Sequence, residues 1–278
     1  PAKEILFHVG LPKTGTTTIQ NFMVEASATA QDAAWSFPFD RDAYRPGQGA
    51  RTVAPQVDAL AYFYGITRKL DVMPQVDWAD TIDRFLCDPH RRHLVISHES
   101  QANAASRMNR AVVADLAART NLRFLAYIRE PVAWLTSMNA QSVYAGDAGP
   151  FGQPSALVAR YVDQGYVGML SPFAAYGRLD LRNYDQHRKA GTLLQDFLTG
   201  ISATDLIPSV KTHASTNTKK SGRDTVLILW ALAQVVPQPR AFSAFRRKIV
   251  IRLESADTSE RAILPAGTIA AIHDRWAE

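Results

Sequence analysis

The chain predicts an α/β fold, three layers around a central parallel β-sheet, in a single domain spanning residues 1–278. Three observations carry this. Apolar strand-like runs recur at 4–9, 93–97 and 122–128. Segments with helical apolar spacing lie between them, which is the arrangement of βαβ units. The first run empties into a short loop, with glycines at 10 and 15, that opens a helix.

Glu4-Ile5-Leu6-Phe7-His8-Val9 reads as the first strand, and Ile19, Phe22, Met23 and Ala26 then recur along one helix face. Val57, Leu60, Ala61 and Tyr64 predict a second helix, and Trp78, Ile82, Phe85 and Leu86 a third. A turn at Asp88-Pro89-His90 leads into the strand His93-Leu94-Val95-Ile96-Ser97. Val112, Leu116 and Ala117 predict a helix before the strand at 122–128. Pro131 suits the first turn of the next helix, in which Trp134 reads as a packing residue. Residues 179–184 fit a further strand, followed by a helix through Leu193, Leu194, Phe197 and Leu198. Val226, Leu229, Trp230 and Ala233 mark a later helix, Pro237-Gln238-Pro239 breaks the chain, and Ile269, Ile272 and Trp276 mark the last helix. The stretch 39–54 has the composition of a loop, either a cover for an acceptor site or an exposed connection.

Composition narrows the function classes. Hydrophobic residues make up 46% and charged residues 21%, as in soluble globular proteins. No uninterrupted apolar run approaches the ~20 residues of a membrane helix, and no secretory signal is visible, so the expected location is cytoplasmic. Cys87 is the single cysteine, which excludes an intramolecular disulfide and a cysteine-based metal site; its neighbours Phe85 and Leu86 predict a packed core thiol. The histidines show no metal-ligand spacing, and no metal is expected. A net charge of +5 suits an anionic ligand but is too mild to imply nucleic acid. The basic clusters Arg91-Arg92 and Arg246-Arg247-Lys248 lack interleaved aromatics and read as solvated faces.

The loop is the chemically informative segment. Strand, glycine loop and helix N-terminus together hold phosphate-like anions, through backbone N–H groups and the positive end of the helix dipole. The nucleoside-triphosphate loop reads G-x-x-x-x-G-K-[ST], with its lysine after the second glycine. Here Gly10 and Gly15 have that separation, but Thr16-Thr17 follow and Lys13 falls between the glycines. Placed there, the ammonium reaches the first phosphate and its outgoing group without a metal.

Pro12-Lys13-Thr14-Gly15-Thr16-Thr17 resembles the 5′-phosphosulfate loop of sulfotransferases that use PAPS (3′-phosphoadenosine 5′-phosphosulfate). The strand at 122–128, followed by Arg129-Glu130-Pro131 and by Ser137 eight residues beyond the arginine, is similar to that family's 3′-phosphate motif. The resemblance runs over 4–25 and 93–142 and more weakly over 172–200, where it is nearest to bacterial, carbohydrate-type members. It implies a P-loop NTPase-like sulfotransferase fold. It also implies in-line, metal-independent transfer of a sulfuryl group from PAPS to a hydroxyl acceptor, a glycan or small metabolite, leaving adenosine 3′,5′-bisphosphate.

The same resemblance distributes the roles. Lys13 would neutralise the leaving 5′-phosphate. Thr14, Gly15, Thr16, Thr17 and Thr18 would hold it through backbone N–H groups, with the hydroxyls binding phosphate or capping the helix. Arg129 and Ser137 would bind the 3′-phosphate, the arginine through its planar fork. From Pro131 to Ser137 the helix rises ~9 Å, so the serine reaches the same anion only if the phosphate lies along the helix flank. Glu99 resembles the acidic base of carbohydrate sulfotransferases. His98 is the alternative base, since cytosolic small-molecule sulfotransferases use histidine. Asn217, Lys219 and Lys220 are nucleotide-contact candidates in a polar loop that lacks the family's R-K-G-x-x-G-x-W form, and an exposed basic linker is the other reading. Two further functions stay open: an NTP-dependent kinase or phosphotransferase, against which the lysine position counts, and a non-enzymatic module that binds adenosine bisphosphate.

Overall fold

The structure is a computed structural model, and it describes residues 3–29, 34–38, 62–64, 77–99, 101–145, 147–150, 152–207, 223–235 and 264–276. The strands are β1 (Glu4–Val9), β2 (Trp35–Ser36), β3 (His93–His98), β4 (Asn121–Ile128) and β5 (Arg178–Asn183). The helices are α1 (Thr16–Thr29), α2 (Trp78–Cys87), α3 (Gln101–Ala104), α4 (Arg110–Arg119), α5 (Pro131–Ala145), α6 (Ala156–Ala174), α7 (Tyr184–Ala190), α8 (Leu193–Gly200), α9 (Arg223–Val235) and α10 (Ala266–Trp276). The fold is α/β, with one five-stranded sheet in the order β2-β3-β1-β4-β5 and every pairing parallel. Among the described residues no helix is long and apolar enough to cross a membrane.

The chain divides into two compact units, each made of separate stretches: 1–128 with 168–216, and 129–167 with 217–278. The first unit holds the sheet. Strand alternation explains its layering. Leu6 on β1, Val95 on β3 and Leu125 and Tyr127 on β4 share one face and pack with Ile19, Phe22 and Met23 of α1 and Phe197 and Leu198 of α8. Phe7 and Phe124 take the other face, with Phe63 and Phe173 against them and Trp78 beyond Phe63. Both faces are covered, so β1 is buried along its whole length and Ile5, Leu6 and Phe7 run consecutively without polar alternation.

The second unit is held by its own contacts. Ala140 and Val143 of α5 pack on Val226, Leu229 and Trp230 of α9. Trp230 Nε1 donates to Gly149 O at 2.8 Å. Trp134 stacks on Tyr166 and meets Tyr161 and Trp276.

Several expectations change on contact with the structure. Cys87 is exposed, because it ends α2 on the face opposite Trp78, Ile82 and Phe85. Residue 184 opens a helix and is not the end of a strand: Asn183 caps it, its side chain accepting from Gln186 N. The helix α6 escapes periodicity because Gly165, at φ 60 and ψ 179, breaks it and Pro172 lies inside it. Of the second predicted helix only 62–64 is described, and it is helical. The loop 39–54 and the cluster at 246–248 lie outside the described residues.

A polar chain crosses the sheet at its N-terminal edge. Arg123 on β4 donates to Glu4 on β1 at 3.1 Å and to Asp180 on β5 at 2.7 Å. His93 and Asn121 also reach Glu4, and Arg178 reaches Asp180. Burial alone would raise the Glu4 carboxyl, but hydrogen bonds from His93 and the Arg123 charge outweigh it and hold it below its ordinary value. Burial is likewise outweighed at Asp180, by hydrogen bonds from Arg123 and Arg178. A depressed carboxyl means that the unfolded chain binds more protons, so this stability is complete above about pH 5 and is lost as pH falls through the folded values. Arg123→Met should cost about 3 kcal/mol at neutral pH, the low end for a broken buried pair because other partners remain. Urea melts at pH 7 and near pH 3 check this: the cost should shrink in acid, and an equal cost at both would contradict it.

Candidate functional site

The parallel register brings the C-terminal ends of β1, β3, β4 and β5 to one edge. The chain fills one side of β1 with β2 and β3 and the other with β4 and β5. Such a switch in strand order is where open α/β sheets leave a crevice beyond the strand ends. The Gly10–Gly15 loop stands at the end of β1.

Its base is fixed by backbone. Gly10 N–H donates to His98 O at 3.0 Å, carrying the β1–β3 ladder one step past Val9. A Cβ at residue 10 would stand 2.6 Å from that carbonyl oxygen, 2.8 Å from the Cα of Glu99 and 2.9 Å from Thr16 Oγ1. Only glycine admits this approach. Thr14 Oγ1 donates to Leu11 O at 2.6 Å and closes the loop. Lys13 holds φ 65, uncommon for a side-chain-bearing residue, and Gly15 holds φ 82. Left-handed residues near a helix start turn successive N–H groups into an anion-holding concavity.

The helix beyond is open at its positive end. Among the described residues, nothing accepts a hydrogen bond from the N–H groups of Gly15, Thr16, Thr17 or Thr18. The first turn of α1 carries no acidic side chain. Thr16 is 2% exposed, and its buried Oγ1 has no partner among the described residues. At α5 the situation is reversed, because the Glu130 carboxylate accepts from Val132 N at 2.9 Å and from Ala133 N. One helix start is neutralised by a side chain of its own chain, and the other keeps its positive end uncompensated among the described residues.

Around the loop base stand the two candidate bases. His98 ends β3 and is buried; Glu99 follows in the turn, half-buried, its Cα against Gly10. Gln101, at the start of α3, is fully buried with neither amide atom bonded. Above Gly15 lie Tyr184 of α7 and Leu193 of α8, so close that a Cβ there would come within 2.9 Å and 2.5 Å of them. These helices are held by Asp196, which accepts from Tyr127 and Arg182 at 2.7 Å each and faces His187 at 3.4 Å. Burial and the Asp196 carboxylate push the Tyr127 phenol up. Sequence reasoning missed Tyr184 and Leu193, because no local pattern pairs residues so far along the chain; the one available signal was the helix start after Asn183.

Arg129 and Ser137 belong to the other unit. Arg129 follows the last residue of β4 and is buried; its N–H donates to Tyr166 Oη at 3.2 Å, and that hydroxyl donates to Arg129 O at 2.9 Å. Ser137 is half-buried on α5, and Trp134 is fully buried. Asn217, Lys219 and Lys220 lie outside the described residues. Among the described residues no group of three or more His, Cys, Asp or Glu could hold a metal ion.

Gly10→Ala should therefore be among the costliest small substitutions in the chain, about 2–4 kcal/mol, since the β3 backbone has to move. Gly191→Ala is the control: its φ is 69 but no atom lies within 4 Å of the added methyl, so it should cost about 1 kcal/mol from backbone strain alone. Thermal denaturation ranks them, and equal losses would refute the close approach.

No protein-family model matches the chain, and no curated protein does. Among solved structures, it is similar to a sulfotransferase from Alicyclobacillus acidocaldarius, at 12% sequence identity and a TM-score of 0.42 over 84% of this chain and 93% of that one.

Proposed function

We propose that the protein is a PAPS-dependent sulfotransferase, acting as one domain on a hydroxyl acceptor, a glycan or small metabolite. The observation that carries this is the open N-terminus of α1, whose first amides find no acceptor among the described residues, with a lysine inside the loop before the second glycine. A glycine-lined cradle, an unpartnered buried hydroxyl at Thr16 and an uncompensated helix start fit a phosphate ester.

When bound, PAPS would supply the sulfuryl group, joined to its 5′-phosphate. The N–H groups of Gly15, Thr16, Thr17 and Thr18, with Thr14 in the loop, would hold that phosphate. The Lys13 ammonium would neutralise charge as it develops on the leaving oxygen, the role that a metal takes in NTP-dependent phosphotransferases. A lysine inside the loop would make metal-independent transfer the simplest chemistry. Arg129, with Ser137, would hold the 3′-phosphate, and Asn217, Lys219 and Lys220 would contact the nucleotide. Glu99 would take the acceptor hydroxyl proton on its carboxylate, with His98 the other candidate.

Calorimetric titration with adenosine 3′,5′-bisphosphate tests the cofactor. The unaltered protein should bind, and Arg129→Ala should weaken binding by about 30-fold or more, the worth of charge-assisted hydrogen bonds. Lys13→Ala should lose transfer from labelled PAPS. Glu99→Gln should cut turnover by about 100-fold or more and leave binding intact. Equal affinity for adenosine 5′-phosphate would remove the 3′-phosphate assignment. Magnesium-dependent ATP turnover without PAPS binding would replace the reading with a phosphotransferase. Full transfer by a protein lacking both Glu99 and His98 side chains would remove the base assignment.

A further inference from the structure

Beneath the loop, three elements meet at one hydroxyl. The β1–β3 register sets His8 directly beside Ser97, with their side chains on one face. His8 Nδ1 stands 2.8 Å from Ser97 Oγ. Gln20, in the second turn of α1, donates its Nε2 to Ser97 Oγ at 3.1 Å and to Ser97 O at 3.2 Å. All three residues are buried, His8 completely.

The Gln20 amide nitrogen only donates, so Ser97 Oγ accepts from it. The hydroxyl has a second lone pair and one proton, so it pairs with His8 Nδ1 in either tautomer of the ring. His8 Nε2 is buried with no partner among the described residues. The ring meets Phe197 at 5.3 Å and Tyr127 at 6.0 Å, both edge-on. Burial pushes His8 down to about 3, so the ring stays neutral.

We propose that Ser97 is a positioning residue, whose hydroxyl locks the loop, the first turns of α1 and the end of β3 into one rigid body. Two residues beyond His8 comes Gly10; two beyond Ser97 comes Glu99; Gln20 lies one turn past Thr16. Ladder hydrogen bonds fix β1 to β3 but leave the rotation of α1 about its axis to side-chain packing. The Gln20 amide supplies that missing restraint in a buried setting where a half-satisfied network is costly. The inference rests on the sulfotransferase reading for its consequence: the base and the donor-holding amides sit on different elements, and in-line transfer depends on their spacing.

Ser97→Ala and Gln20→Met test this. For transfer from PAPS, kcat should fall by about 10- to 100-fold, the effect of a displacement near 1 Å, with the dissociation constant for adenosine 3′,5′-bisphosphate changed less than about threefold. Ser97→Thr, which keeps the hydroxyl, should restore most of kcat. A merely structural serine would lower the melting temperature and leave kcat alone, and that result overturns the proposal. So does a parallel loss of binding and turnover. If Ser97→Ala does not fold, Gln20→Met decides by the same criteria. Should the unaltered protein bind no adenosine 3′,5′-bisphosphate, the sulfotransferase reading falls and the hub is judged by hydrogen exchange at the Gly10 amide. Protection at least about tenfold lower in Gln20→Met supports it, and unchanged protection overturns it.

Discussion

The hydrogen bond from Gly10 N–H to the His98 carbonyl is the constraint on which the site depends. It continues the β1–β3 ladder past the end of β1 and sets the loop base against the strand that carries His98 and Glu99. Three crowding contacts follow from it, to a carbonyl oxygen, a Cα and the Thr16 hydroxyl, and together they exclude any side chain at residue 10. From that fixed base the chain has few residues in which to reach α1. It does so through left-handed backbone at Lys13 and Gly15. The strain at a non-glycine residue is tolerated because Thr14, bonded to Leu11 O, closes the loop over it.

Helix termini then decide where an anion is welcome. Every α-helix leaves N-terminal amides without internal partners. The chain satisfies those of α2 with Asp77, of α4 with Asn109, of α5 with Glu130 and of α7 with Asn183. The start of α1 receives no such cap among the described residues, although four threonines surround it. The Thr14 hydroxyl serves the loop, and the Thr16 hydroxyl is aimed at Gly10. The start of α8, after Thr192, likewise has no side-chain cap, so it is the glycine loop and the left-handed residues before α1 that set this start apart.

The legible parts of this protein were those written locally. Runs at 4–9, 93–97 and 122–128 predicted the parallel core, because strands buried on both faces carry consecutive apolar residues, here at 5–7, 94–96 and 124–128. The glycine loop was legible for the same reason: its spacing, its lysine and the helix after it lie within a few residues. What failed to show came from distance or interruption. Gly165 and Pro172 hide α6, and β2, only Trp35–Ser36, is too short to carry a period. Cys87 was read as core from its neighbours, but helical spacing turns it outward. The tight cover of Gly15 by Tyr184 and Leu193, and the meeting of His8, Gln20 and Ser97, arise only when the sheet brings separated segments together.

In the proposed function, the amides at the start of α1 hold the phosphate of an adenosine nucleotide. Amide chemical shifts of 15N-labelled protein, followed while adenosine 3′,5′-bisphosphate is added, test it directly. The largest and saturable shifts should fall on residues 13–18, with the Gly15 and Thr16 amides moving downfield as they begin to donate. Saturable shifts clustered elsewhere, with the loop silent, would contradict it.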